Sequence, residues 1–302
     1  MATWNRAVET LPREELASLQ LKGLRKTLRR LGRAEVSALE ELARLPFSTA
    51  ADCRGRTLLS RCRADRRELV ELHVDPVMSL AIAATKGDLL QNAEAVARGF
   101  AMAGLEKGDA FAVLEPLSLQ GDGLACDQGC RKAGLFCLPA GDLAPVAQAE
   151  LLAAAHAKGV FASVATLLRL PSATGLQSLK TALVPAAGLT EGLRRELETR
   201  FGFAVFAAYG RAETGGFASL GHECRVHDGF HVWEDQCLVE IVDPKTGAVL
   251  PDGDRGEVVL TTLAREAMPL LRYRTGEVGR VVSRERCACG RTSLRLALGS
   301  AR

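Results

Sequence analysis

No stretch of this 302-residue chain approaches the run of about 20 apolar residues that a spanning helix needs, which argues against a helical membrane protein. Charge of one sign is not in excess either. The 39 Lys+Arg face 36 Asp+Glu, a formal net charge of +3, which is too even to recommend nucleic acid or an anionic membrane as partner. The N-terminus from Met1 to Arg13 carries charge along its length and lacks the apolar stretch of a signal peptide, so a cytoplasmic protein is expected. Internal repeats and low-complexity tracts are missing, apart from alanine-rich helices. A disulfide framework is disfavoured by the nine scattered cysteines, an odd number. A reduced compartment with a few metal-ligating cysteines fits them better.

What is there has the balance of a globular protein with a sizeable core: 47% apolar and 25% charged residues. Residues 12–45 are rich in Leu, Arg and Glu and read as helix, broken near Gly32. Lys22, Arg25, Lys26, Arg29, Arg30 and Arg33 form a basic run within it. Acidic residues return at Glu35, Glu40 and Glu41 and no aromatic residue interleaves, so the run reads as a solvated helix face.

From about residue 80 to 208 helix and strand signals alternate. Leu89, Ala93, Val96 and Phe100 recur at helical spacing and Gly104 follows as a stop. Apolar strands are expected at Phe111–Leu114, Leu135–Leu138, Val160–Val164, Ala182–Val184 and Ala204–Ala208. Between them lie helices ending at about Lys132, Lys158 and Phe201, the last one capped by Thr190. Continuous apolar strands alternating with amphipathic helices imply an α/β fold, a largely parallel sheet with helices on both faces. Ligands bind beyond the carboxyl ends of such strands, which puts the Tyr209-Gly210 turn where a site belongs. After residue 215, segments Gln236–Val242, Gly256–Leu263 and Val278–Val282 are separated by turn signals such as Asp243-Pro244 and Pro251-Asp252-Gly253 and read as a mainly β subdomain. The expected division is an N-terminal helical segment (1–60), an α/β subdomain (61–208) and a β-rich subdomain (209–302).

The run from Asp228 to Thr275 resembles the phenylacetate–CoA ligase family of adenylate-forming enzymes. The residues that carry the likeness are Gly229-Phe230-His231-Val232-Trp233-Glu234-Asp235, Pro251-Asp252-Gly253, Gly256-Glu257, and Glu266-Ala267-Met268-Pro269 leading to Arg272-Tyr273-Arg274-Thr275, followed by Cys287-Ala288-Cys289-Gly290-Arg291-Thr292. The resemblance thins toward the N-terminus and is weakest between residues 50 and 90. It implies the large domain of an enzyme that joins an aryl or acyl carboxylic acid to AMP and then passes the acyl group to coenzyme A, using ATP and Mg²⁺.

Four pieces of that chemistry can be sought in the residues. The family's phosphate cradle is a Ser/Thr/Gly-rich loop followed by Lys, whose backbone N–H groups wrap the β- and γ-phosphates. It belongs between His73 and Asp88, but no glycine precedes Gly87 there and Pro76 removes a donor. Thr85-Lys86-Gly87 reads as the start of the next helix, so the cradle is expected to be missing. The second piece, Y-G-x-[ST]-E, stands as Tyr209-Gly210-Arg211-Ala212-Glu213. By resemblance Tyr209 lies against adenine and Glu213 helps hold Mg²⁺, while Ala212 offers no hydroxyl. The plainer reading makes Tyr209-Gly210 a strand-to-loop turn.

The third piece, an Asp that holds ribose, is replaced by Glu277 in Tyr273-Arg274-Thr275-Gly276-Glu277. Its extra methylene shifts the carboxylate by about a bond length, and errors near 1 Å cost about 10²-fold in rate. The fourth is a mobile C-terminal domain with a catalytic lysine. No residue here matches it, and a longer protein, a separate C-terminal domain protein and gene decay would each account for that. A remnant nucleotide site at Tyr209, Gly210, Glu213 and Glu277, with no assignable catalytic residue, is therefore expected.

The strongest metal signal is Cys224-x₆-His231 followed by Cys287-x-Cys289-Gly290. Three thiolates and an imidazole suit Zn²⁺ in a closed, structural site, and Gly290 lets the backbone turn around the ion. His222, His227 and Cys237 are nearby alternatives. Two functions compete: a ligase-type AMP-binding domain that does not adenylate on its own, and a non-catalytic pseudoenzyme relative acting in ligand binding or assembly. A zinc-bearing nucleic-acid binder is a distant third.

Overall fold

The computed structural model describes residues 3–53, 59–75, 80–119, 121–171 and 175–299. Residues 76–79 of the expected cradle segment and residues 300–302 of the chain's end lie outside the described residues. By contacts the chain divides into two units, one built chiefly from Asn92–His227 and the other from Asn5–Gln91 with Asp228–Arg302. No helix among the described residues is long and apolar enough to cross a membrane.

In the second unit a single helical turn at Arg6–Glu9 precedes helix α1 (Arg13–Arg30), which buries Leu16, Leu24 and Leu28. It is shorter than the 12–45 reading. Gly32 takes φ +64 and Arg33 N–H returns to the Leu28 carbonyl at 2.9 Å, a Schellman-type stop that glycine permits. In the rest of the 12–45 stretch a 3₁₀ turn forms instead, over Leu39–Arg44. Strands β1 (Leu69–Asp75) and β2 (Leu80–Thr85) then pair antiparallel, Asp75 opposite Leu80. Helix α2 (Lys86–Ala103) starts where Thr85-Lys86-Gly87 was read as a helix start. Thr85 and Asp88 cap it reciprocally: Asp88 N–H donates to Thr85 Oγ1 at 3.1 Å and Thr85 N–H to Asp88 Oδ2 at 3.0 Å.

The first unit holds β3 (Ala110–Val113), α3 (Asp122–Ala133), β4 (Phe136–Pro139), α4 (Pro145–Ala154), β5 (Gly159–Phe161), α5 (Val164–Arg169), β6 (Thr181–Pro185), α6 (Glu191–Phe201), β7 (Ala204–Arg211) and β8 (Gly216–Glu223). The sheet order is β8-β7-β6-β5-β3-β4, parallel throughout except that β8 runs antiparallel to β7. This is the α/β architecture expected of the alternating pattern. Successive residues of β3, β5, β6 and β7 are buried, as they must be when helices cover both faces. Phe100, Phe111, Phe161, Phe206 and Phe217 centre the core, and the Phe161 and Phe217 rings lie 4.2 Å apart.

Helix ends follow local chemistry. Gly134 and Gly202 take left-handed conformations behind α3 and α6, and Thr190 Oγ1 accepts from Leu193 N–H at 3.2 Å. Helix α4 stops earlier than the expected Lys158, because His156 turns at φ +48 and Lys158 N–H is drawn to the Ala110 carbonyl at 2.8 Å.

The β-rich part of the second unit is antiparallel. Its strands are β9 (Phe230–Val232), β10 (Cys237–Val242), β11 (Gly256–Thr262), β12 (Tyr273–Ser283) and β13 (Arg295–Leu298), in the order β10-β11-β12-β13-β9. The Asp243 carboxylate closes the β10 turn by accepting from Lys245 and Thr246 N–H groups at 2.8 and 2.7 Å. Leu24 and Leu28 of α1 pack with Leu263 and Leu271.

Candidate nucleotide site and cysteine–histidine cluster

At the carboxyl end of β7, Tyr209 is buried and Gly210 starts the turn toward β8. A Cβ on Gly210 would meet the Gly216 carbonyl at 2.0 Å, so the close backbone approach admits glycine alone. The register slips between Tyr209 and Arg211, and Gly215 and Gly216 follow at φ +115 and +81. The loop is fastened from elsewhere in the unit: Asn92 Nδ2 donates to the Gly215 carbonyl at 3.3 Å, and Phe217 N–H to Asp122 Oδ1 at 2.8 Å. This turn therefore sits where ligands bind in parallel sheets.

Within the turn the Glu213 carboxylate is only 4% exposed and takes Arg211 Nη2 at 3.0 Å. Ala212 has no hydroxyl. Thr214 has one, but it donates to the Arg211 carbonyl at 3.0 Å and lies 2.8 Å from Ser219 Oγ. A divalent cation needs a carboxylate oriented toward it with lone pairs to spare. A Glu213 already paired with a guanidinium is a poor fit to Mg²⁺. Glu277, in the other unit, is half-buried on β12 beside Gly276 at φ +73, its N–H donating to Thr275 Oγ1 at 3.0 Å. Asn92, Asp122, Thr214 and Ser219 were not singled out in the sequence. Only the Gly121-Asp122 pair, a turn residue opening a helix, was a usable signal.

The ligand atoms of Cys224, His231, Cys287 and Cys289 all lie within 4.8 Å of one another, and all four residues are buried. Cys224 is seven residues upstream of His231, so its approach is a matter of local chain connection. Cys289 Sγ is 3.3 Å from His231 Nε2, and His231 Nδ1 is 3.1 Å from Ser293 Oγ, which orients the ring. Gly290 at φ +93 makes the tight turn, with its N–H on the Cys287 carbonyl at 2.8 Å and Cys287 N–H on the Arg291 carbonyl at 2.9 Å. Zn–S near 2.3 Å and Zn–N near 2.0–2.1 Å in a tetrahedron separate ligand atoms by about 3.5–3.8 Å, so the soft donor set suits zinc, while a spread of up to 4.8 Å would have to contract around the ion. The fully buried Arg291 directs Nη1 at Cys289 Sγ, 3.8 Å away, placing a cation beside sulfurs that would share a net negative charge with Zn²⁺. Among the described residues the alternatives stand outside this cluster. His222 Nδ1 lies 2.7 Å from the Glu223 carbonyl, His227 Nδ1 lies 3.4 Å from Glu223 Oε2, and Cys237 has its thiol pushed up by burial.

Comparison with known proteins agrees with this architecture. Residues 150–263 match the family described as AMP-binding enzyme. A phenylacetate-coenzyme A ligase of Thermus thermophilus is 32% identical over 316 residues, covering 96% of this chain and 71% of that protein. One from Pseudomonas putida is 30% identical, covering 82% and 59%. Among solved structures, an open conformation of 2-hydroxyisobutyryl-CoA ligase in complex with 2-HIB-AMP and CoA superposes with a TM-score of 0.84 at 21% identity. That match spans 97% of this chain and 76% of the other. The chain belongs to the phenylacetate–coenzyme A ligase family.

Proposed function

We propose that this chain is a ligase-type AMP-binding domain that does not form an acyl-adenylate by itself. The observation that carries the reading is the Arg211–Glu213 ion pair at 3.0 Å, buried at the carboxyl end of β7. The carboxylate that by family resemblance would help hold Mg²⁺ is engaged by a guanidinium, and its neighbour Ala212 brings no hydroxyl. Lost charge-stabilising groups of this kind typically cost about 10²–10³ in rate apiece. The glycine-free sequence before Gly87 and Glu277 in place of Asp add to the same side. By family resemblance Tyr209, Gly210 and Glu213 in one unit, and Glu277 in the other, are then each a remnant of a nucleotide-binding position, with weak affinity for AMP or ATP, and an aryl or acyl acid and coenzyme A are the ligands the family suggests. A non-catalytic ligand-binding or assembly role is the second reading, favoured by the same ion pair.

We also propose that Cys224, His231, Cys287 and Cys289 hold one structural zinc. A closed three-thiolate, one-imidazole set leaves no open position for water and supplies folding energy rather than chemistry.

Carboxylate-dependent ATP–pyrophosphate exchange tests the first proposal. The chain alone, offered phenylacetate and a panel of aryl acids, is expected to give no exchange above a protein-free blank. Exchange clearly above that blank would sink it.

A further inference from the structure

The helical turn at Arg6–Glu9 lies against the segment that carries two of the proposed metal ligands, Cys287 and Cys289, and one guanidinium serves both. Arg291 Nε donates to Glu9 Oε2 at 2.6 Å, while its Nη1 reaches Cys289 Sγ at 3.8 Å. The Arg291 side chain is 1% exposed, so both contacts are shielded from water. The next residue adds two hooks. Thr292 N–H donates to the Glu9 carbonyl at 3.1 Å and the Thr292 hydroxyl to the Leu11 carbonyl at 2.7 Å. Beyond Leu11 the chain is held differently: Arg13 pairs with Glu234 at 2.6 and 3.0 Å, and Leu294 N–H donates to the same carboxylate at 2.7 Å.

The backbone does little to position Arg291 and Thr292. No helix or strand forms over residues 284–294, between β12 and β13. The turn there is closed by Gly290 N–H on the Cys287 carbonyl at 2.8 Å and Cys287 N–H on the Arg291 carbonyl at 2.9 Å. A segment without regular structure opens locally at small cost unless something else staples it. Coordination would fix Cys287 and Cys289 against His231 on β9. Metal binding then orders the segment, and the hooks on residues 5–11 close on a platform that is already rigid. Charge acts the same way at Arg291. A coordinated thiolate accepts from a buried guanidinium far better than a neutral thiol does, which keeps Nη1 on Cys289 and Nε aimed at Glu9.

We infer that metal binding at the cysteine–histidine cluster latches the N-terminal turn, with Arg291 as the relay between Cys289 and Glu9. With metal bound, residues 5–11 are closed over the 287–292 segment. Without it the segment loosens, Arg291 loses its orientation, and the turn comes free as far as Arg13, where the pair with Glu234 stops the opening. Such coupling is reciprocal, so a docked turn also tightens the hold on metal. The inference rests on the zinc proposal above. It adds that the metal governs one named segment and not the fold at large.

The test is hydrogen exchange read by mass spectrometry on the full chain, zinc-loaded and after a strong chelator, with bound zinc counted first by metal analysis. Chelation is expected to speed exchange about tenfold or more in residues 5–11 and 287–292, the scale of a moderate coupling, while residues 16–28 of α1 stay protected. The zinc-loaded Glu9→Gln chain should already exchange fast over 5–11, and chelation should add less than about twofold there, because the two changes act through one contact. Glu14→Gln, at an exposed position, is the control and should respond like the unaltered chain. Three results overturn the inference: protection of 5–11 that chelation leaves unchanged, opening of α1 to the same extent as the turn, or a full metal response in Glu9→Gln. A chain that takes up no zinc refutes the zinc proposal and the latch with it, whereas zinc bound beside a turn indifferent to it refutes the latch alone.

Discussion

Arg291 Nε donates to Glu9 Oε2 at 2.6 Å, and the two side chains are 1% and 2% exposed. This ion pair is closed over by the chain on both sides. Asn5 N–H donates to the other Glu9 oxygen at 2.7 Å, Thr292 N–H to the Glu9 carbonyl at 3.1 Å, and the Thr292 hydroxyl to the Leu11 carbonyl at 2.7 Å. The N-terminal turn is thus tied to the Cys-x-Cys-Gly-Arg-Thr segment, and the same guanidinium also faces Cys289. A few residues farther on, Arg13 grips Glu234 through two bonds, of 2.6 and 3.0 Å.

Removing one partner of such a pair strands the other charge out of water. Glu9→Leu or Arg291→Met alone should lower unfolding free energy by about 3–5 kcal/mol, while the double variant should lose much less than the sum of the two. Urea denaturation of the three variants checks this. Additive losses would show that the two side chains act independently.

Gly210 makes a second stability prediction. With the Gly216 carbonyl 2.0 Å from where a Cβ would stand, Gly210→Ala must push β7 and β8 apart or reshape the turn. A loss of about 1–3 kcal/mol is expected, typical of overpacking. Any affinity for AMP should fall with it, since Tyr209 and Glu213 flank the displaced backbone. Gly192→Ala is the contrasting control. The nearest atom to a Cβ there is Thr190 Oγ1 at 3.8 Å, so melting temperature should change little.

The parallel sheet was legible because its strands are short, largely apolar and fenced by Gly104, Gly134 and Gly202, each of which stops a helix by its own backbone freedom. Strand β8 was not. Its sequence Gly216-Phe217-Ala218-Ser219-Leu220-Gly221-His222-Glu223 mixes glycine, serine, histidine and glutamate, yet every residue in it is buried. Glu223 is buried at the end of this strand by partners distant in sequence, Arg194 through two bonds of 2.9 Å and Ala207 N–H at 2.7 Å, which no local pattern announces. Helix α5 escaped for a different reason. At six residues it is too short to show a period, and only the Ser163 cap at its start marks it. The cysteine–histidine cluster could be read from ligand chemistry and motif. Its surroundings could not, because Glu9 reaches Arg291 across 282 residues.

Thiol chemistry separates the proposed zinc ligands from cysteines that are merely buried. Burial pushes up the thiols of Cys126 and Cys130, so both should resist iodoacetamide at pH 8 in the native protein, with or without metal. Cys224, Cys287 and Cys289 should be protected for a different reason, coordination as thiolates. Protein purified without added zinc should carry close to one equivalent. A strong chelator should remove it, lower the melting temperature, and open those three cysteines to alkylation while Cys126 and Cys130 stay closed. Cys289→Ser should mimic the chelator, because an unfolded chain has no preformed ligand set and metal binding adds directly to folding energy. Cys62→Ser should do little, its thiol being half-buried and bonded weakly to the Ala64 carbonyl at 3.5 Å. Mass spectrometry of the labelled peptides reads all five positions at once. A metal-free protein whose melting temperature and labelling pattern are the same with and without chelator would end the zinc proposal, and leave the four side chains as a buried set held by packing and hydrogen bonds alone.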